Sequence, residues 1–181
     1  MALYHGRGRG SSVTKIILQG APELQAALRN ASKDMKAAVA KAVTATGLEL
    51  RGDVVKRIQR GPKTGAIYYY IFDPDTGYTI TYAGDTEGFV RAEKGDSSRP
   101  SHQSSAAGES PASDTGRLAN SITFKQVGPV SVTVGSALIY AAYLEYGTIS
   151  MAPRPAWRPA VEAMAPKFRN RLLRALDMSL D

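Results

Sequence analysis

The 181-residue chain predicts an α+β fold in which a small antiparallel sheet is packed by one long N-terminal helix and a C-terminal helix, with a β-hairpin insertion and a long mobile loop. Three observations predict it. Two stretches repeat apolar residues at helical spacing. Two pairs of short stretches, rich in β-branched and aromatic residues, meet at turn residues. Between them Asp85 to Ser113 follows neither period and is dominated by Gly, Ser, Ala, Pro and charge. The length favours a single domain, 1–181, with residues 1–11 a flexible arm and 66–113 a hairpin and loop insertion.

Taken in order, "VTKIILQG" is a short β-type run ending at Gly20, and "APEL" places Pro22 where a first helical turn tolerates it. Leu24, Leu28, Met35, Val39, Val43, Leu50, Val54 and Ile58 then form one apolar stripe, opposed by Arg29, Lys33, Lys36, Lys41, Arg51 and Arg57. Gly47 is a weak point in its middle. At a rise of ~1.5 Å per residue such a helix spans roughly 50 to 60 Å. Part of it is therefore expected to project or to pack against another chain. "RGPKTG" ends it, because Gly61 suits a C-terminal cap and Pro62 cannot continue a helix.

"AIYYYIFDPDTGYTITYAG" reads as a hairpin turning at Asp73 to Gly77. Asp85 to Ser113 is expected to be an exposed or disordered loop and the most mobile part of the chain. In "PASDTGRLANSI" a short helix carries Leu118 and Ile122, with Asp114 or Thr115 as its N-terminal cap. "ITFKQV" and "VSVTVG" form a second hairpin around Gly128-Pro129. "LIYAAYLEYGT" is a short helix, apolar through Ile139, Tyr143 and Tyr146 and stopped by Gly147. Trp157, Val161, Met164, Phe168, Leu172 and Leu176 mark the last helix, with Pro159 in its first turn and Pro166 expected to bend it. Leu50, Val54, Phe168 and Leu172 are expected to share one core with the second hairpin.

Composition excludes several functions. With no Cys, thiolate nucleophiles, thiolate metal sites and disulfides are excluded. No apolar run approaches the ~20 residues that span a bilayer, and "MALYHGRGRG" lacks a signal peptide's apolar stretch, so no membrane partner is expected. The net charge of +7 is uneven: 12 Lys/Arg against 4 Asp/Glu up to Lys63, 5 against 9 from Thr64 to Ser150, and 6 against 3 beyond. Basic ends and an acidic middle suit either a polyanion or head-to-tail pairing of copies.

Chemistry is sparse. His5 sits in a Gly/Arg-rich arm and His102 in the expected loop, neither held as catalysis needs. "DPDTG" lacks the further ligands of a calcium loop, and "RGPKTG" lacks the first glycine of a phosphate cradle. No catalytic, metal or cofactor residue is expected, and the chain does not read as an enzyme.

"PASDTGRLANSI", "VTVGSALIYAAYLEYGT" and "APRPAWRPAVEA", in that order, closely resemble the neck or tail-completion family (head-tail joining, minor tail component) of long-tailed double-stranded DNA phages. The first motif carries onto Asp114, Thr115, Gly116, Leu118, Ser121 and Ile122. The second carries onto Tyr140, Ala141, Glu145, Gly147 and Thr148, and the third onto Pro153, Pro155, Pro159 and Ala160. "GPKTG" at Gly61 to Gly65 and "HQSSAAGESPASDTG" resemble a subgroup of that family. The resemblance implies a structural virion protein, assembled in the host cytoplasm, that forms a homo-oligomeric ring, usually sixfold. That ring sits between head-side connector or adaptor proteins and the tail terminator or tail-tube proteins, near channel DNA. A tail-tube terminator or minor tail protein is the alternative, and a nucleic-acid-binding protein a further one on charge alone. Tyr140, Tyr143, Tyr146 and Trp157 are each either interface anchors or core. Glu145 is either a solvated helix-end charge or the partner of an Arg such as Arg154 or Arg158.

Overall fold

The computed structural model describes residues 14–19, 32–75, 78–83, 88–94 and 101–177. Their order is β1 (Thr14–Gln19), α1 (Lys33–Arg60), β2 (Ile67–Asp73), β3 (Tyr78–Ala83), β4 (Gly88–Lys94), β5 (Ser101–Gln103), α2 (Arg117–Asn120), β6 (Ile122–Gly128), β7 (Ser131–Ser136), α3 (Ile139–Tyr146) and α4 (Trp157–Asp177). The fold is α+β, with a long helix, small antiparallel sheets and a C-terminal helix.

Helix α1 begins later than its apolar stripe suggests. Ser32 is extended, with ψ of 160°, and its hydroxyl accepts the Met35 N–H at 3.2 Å, an N-cap that excludes an unbroken helix from Pro22. Leu24 and Leu28, like the arm at 1–11, lie outside the described residues. Downstream the stripe holds: Val39, Val43, Leu50, Val54 and Ile58 are buried and Met35 packs at the margin. The 28 residues span ~42 Å at ~1.5 Å each. Since burial runs from Val39 to Ile58, most of the described length is packed within this chain; the part expected from Pro22 onward lies outside the described residues. The end is as expected, with the Gly61 N–H donating to the Arg57 carbonyl at 2.9 Å.

The first sheet has the order β1-β7-β6. Register places Ile122 and Phe124 of β6 on the same face as Val134, Val132 and Ser136 of β7, and α1 packs on β6 and β7. Gly47 is the point of closest approach rather than a weak point. A Cβ there would stand 2.7 Å from Val132 Cγ2 and 2.8 Å from Phe124 Cε2, so the missing side chain sets the helix-to-sheet distance. Helix α4 packs on α1 and adds Trp157, Ala160, Val161 and Met164 to the core, with Phe168, Leu172 and Leu176 partly buried against it. Arg171 clamps the two helices, donating to Thr46 Oγ1 at 2.9 Å and Glu49 Oε2 at 2.8 Å, while Lys167 reaches Glu49 Oε1 at 3.0 Å. Pro166 lies within α4, which continues past it.

The second sheet has the order β4-β3-β2-β5. Its β2–β3 hairpin is the expected one, and Asp73 Oδ1 accepts the Asp75 N–H at its turn. The flanking strands correct the expectation of a long mobile loop from Asp85 to Ser113. That stretch supplies β4 and β5, and Ser105 and Pro111 beyond them are buried; residues 84–87 and 95–100 lie outside the described residues. His102 is accordingly held in a strand, opposite Tyr68.

Candidate assembly surface

The segments "GPKTG" and "HQSSAAGES" meet at the base of the second sheet. The Glu109 carboxylate accepts the Thr64 N–H at 3.0 Å, the Thr64 hydroxyl at 2.7 Å and the Ala106 N–H at 2.8 Å. Those donors hold its pKa below the usual carboxylate value. Gly65 and Ala66 extend the β2–β5 pairing to Ser104. A Cβ on Gly65 would come within 2.7 Å of the Ser105 carbonyl oxygen, so the chains approach too closely for a side chain. The same loop is tied to the Pro-rich segment: Gly108 N–H to Pro153 O at 2.9 Å, Ser110 Oγ to Pro155 O at 3.1 Å, and Arg154 Nε to Ser105 O at 3.0 Å.

In the Asp-Thr-Gly segment the expected cap is replaced by a turn. Gly116 occupies the N-cap position of α2 with φ of +75°, a conformation that favours glycine, and no side chain caps from that position. Thr115 Oγ1 accepts the Arg117 N–H in a long bond of 3.4 Å, and Asp114 lies 3.8 Å from His102 Nδ1. Leu118 and Ile122 are buried. Ser121 is a relay: its hydroxyl donates to the Leu118 carbonyl at 2.6 Å and lies 2.7 Å from Ser136 Oγ, which accepts the Leu138 N–H at 3.1 Å. With the Ser121 proton committed to Leu118, Ser136 donates to Ser121, and one polarised chain joins α2, β7 and the start of α3.

Glu145 is neither solvated nor paired with an arginine side chain. It is 3% exposed, and its carboxylate accepts the backbone N–H groups of Ala156 at 2.8 Å, Trp157 at 3.0 Å and Arg158 at 2.7 Å. The start of α4, "PAWR", offers no Ser, Thr, Asp or Asn to cap it, and Glu145 does so from the preceding helix. The positive end of the α4 dipole compensates the unfavourable position at the C-terminus of α3. Arg154 instead donates its backbone N–H to Leu144 O at 2.6 Å and its side chain to Ser105. Gly147, with φ of +77°, makes the reversal between the helices, and Thr148 closes it onto Met151 at 2.8 Å. A Cβ at Gly147 would stand 2.7 Å from the Met151 oxygen. Pro155 is buried at the approach to α4, whereas Pro153 is exposed.

This frame presents one face of α3 outward. Ala141, Ala142 and Glu145 point inward, whereas Ile139, Tyr140, Tyr143 and Tyr146 are exposed, Tyr143 by 50% and Tyr146 by 53%. Ile149, at the tip of the loop that follows, is fully exposed. The apolar stripe seen in the sequence is thus the outer face, and the three tyrosines are not core. Partial burial and the neighbouring Glu145 charge raise the Tyr146 pKa above its usual value. Trp157, by contrast, is fully buried and belongs to the core. Glu109 and Ser136, and the close-packing role of Gly47, depend on partners remote in sequence, for which residue type alone gives no signal.

Among the described residues no group of three or more His, Cys, Asp or Glu is placed to hold a metal ion, and no helix is long and apolar enough to cross a membrane. Residues 102–147 match the family model described as "Bacteriophage HK97-gp10, putative tail-component". The match contains the Asp-Thr-Gly motif and the second motif as far as Gly147, and the Pro-rich motif follows it. No curated protein and no solved structure matches the chain. Over residues 102–147 the chain is thus similar to the HK97-gp10-like tail-component family, which fits the neck and tail-completion family that its motifs resemble.

Proposed function

We propose that the protein is a structural, non-enzymatic virion component that forms a homo-oligomeric ring, most simply a hexamer, at the head-tail junction of a long-tailed phage. The ring joins the tail tube or its terminator to the head-side connector around the DNA channel. The observation that carries this reading is the coincidence of the tail-component match with an outward aromatic face on α3 inside the matched segment. Contiguous exposed apolar area of this kind marks a surface that is covered on assembly. Further support comes from Glu145 and Gly147, which fix that face through backbone hydrogen bonds and a glycine-dependent reversal.

Cryo-electron microscopy of the virion tests the level, and a null mutant tests the role. The expected result is density for this chain between connector and tail tube, with filled heads and separate, full-length tails accumulating in the mutant. Tails of uncontrolled length would favour the tail-terminator alternative, and density along the tail would favour a minor tail protein.

A further inference from the structure

Two apolar patches lie on different elements of this chain, the second with Asp73, opposite Tyr78, at its turn end. The first is the α3 face with its loop tip: Ile139, Tyr140, Tyr143, Tyr146 and Ile149. The second is one face of the four-stranded sheet. Register sets Ile67, Tyr69 and Ile71 of β2 on the same side as Ile80 and Tyr78 of β3, and Ile67, Ile71 and Tyr78 are exposed. Nothing in the sequence demands that a surface strand show Ile67 and Ile71 to water; an isolated sheet ordinarily presents polar residues on its solvated face.

We infer that the α3 face of one copy docks on the sheet face of the next, in a heterologous contact that repeats around the ring. This rests on the oligomeric reading above and names the two surfaces it uses. At ~150–250 Å² for a whole aromatic side chain, the half-exposed residues of the α3 patch present on the order of 500 Å², and the sheet patch a few hundred more. Together they approach the lower end of the ~1,200–2,000 Å² that a specific interface buries, before any rim is counted. The sum counts in favour of this pairing. An isologous contact through either patch leaves the other bare on every subunit, whereas a head-to-tail contact in a closed ring covers both. Charge agrees: Glu145, the only ionisable acid on α3, is turned inward, so nothing charged on α3 is buried against the Ile/Tyr surface.

The absence of native cysteine allows a direct test with the full-length protein. Tyr143→Cys and Ile71→Cys are made in separate chains, mixed and oxidised. A disulfide-linked dimer from the mixture, with none from either variant alone, is the expected result. A chain carrying both substitutions should give a ladder ending at the ring size. Dimers from a single variant show an isologous contact and overturn the inference, as does a mixture that yields no cross-linked species. Tyr143→Glu and Ile71→Glu, each at an exposed position, are expected to keep the parent's melting temperature and to lose the ring by mass photometry. Rings persisting in both variants refute the docking. The neck assignment fails separately: cross-linked rings from a protein located elsewhere in the virion would sink that assignment and leave this contact standing.

Discussion

Replacing Glu145 by Ala is the most informative single perturbation, because it separates an interface residue from a framework residue. The substitution strips three backbone donors, of Ala156, Trp157 and Arg158, of a buried carboxylate acceptor. A hydrogen bond to a charged group contributes ~1.5–3 kcal/mol, and loss of a helix cap costs ~0.5–2 kcal/mol. The bonds share one acceptor group and are not additive, so about 3–5 kcal/mol is expected, the range for removing one partner of a buried charged pair. For a chain of this size each kcal/mol moves the melting temperature by ~2–4 °C, giving a fall of about 6–20 °C. Glu145→Gln keeps one acceptor oxygen but turns an amide toward N–H donors, and falls between parent and Ala. Glu145→Lys sets a cation against the positive end of α4 and is worse than Ala. The assay is thermal unfolding followed by circular dichroism, with Glu162→Ala, on the exposed face of α4, as control. A Glu145→Ala shift no larger than that of the control would refute the capping role and return Glu145 to the surface.

Three further outcomes follow from the packing. Gly47→Ala is expected to destabilise by ~1–3 kcal/mol through overpacking against Val132 and Phe124. Gly52→Ala, where a Cβ meets nothing within 4 Å, is expected to stabilise by up to ~1 kcal/mol; chemical denaturation of the pair must give opposite signs. Arg171 and then Lys167 lower the Glu49 pKa, so its contribution is present above the ordinary glutamate value of ~4.3 and is lost as pH falls through the lower folded value. Because the ion pair is over a third exposed, the effect stays below ~1 kcal/mol, and the stability gap between the parent and Glu49→Gln must shrink on acidification. In limited proteolysis, residues 104–113 should resist cleavage as long as α1 does, since Ser104, Ser105, Gly108, Glu109 and Ser110 are all bonded to other segments.

The elements that were legible from sequence are those whose burial is periodic. The stripe of α1 from Val39 to Ile58, the alternation of β6 and β7 and the apolar series of α4 all report a side chain's distance from one core. What failed is whatever depends on a partner far away in sequence. β5 is three residues long and exists because β2 offers it a ladder. Its loop looked mobile because Gly, Ser and Ala carry no periodic signal, yet its order is supplied by Glu109, Arg154 and main-chain bonds to Pro153 and Pro155. The role of Glu145 is not legible in the sequence because an acid at the C-terminus of one helix is unfavourable considered alone, and only the tertiary position of α4 reverses the sign. The stripe of α3 shows the limit of periodicity itself: Ile139, Tyr143 and Tyr146 share a face, but spacing does not say whether that face looks in or out.

That last ambiguity resolves in a way that bears on how the motifs and the surface divide the work. Of the second motif's residues, Ala141, Glu145 and Gly147 fill the core, cap α4 and reverse the chain. Each answers a local demand: complete burial at Ala141, three converging N–H groups at Glu145, positive φ at Gly147. Tyr143 and Tyr146 lie outside the motif residues and are half exposed on the outer face of the helix. Of the motif residues on α3 itself, Tyr140 alone is exposed. Frame and face are therefore separable, and a substitution can test each without the other. If Tyr143→Glu leaves unfolding unchanged while abolishing assembly, and Glu145→Ala lowers the melting temperature, the frame fixes a surface whose chemistry is set by its partner. If Tyr143→Glu instead unfolds the chain, α3 is part of the core and the separation fails.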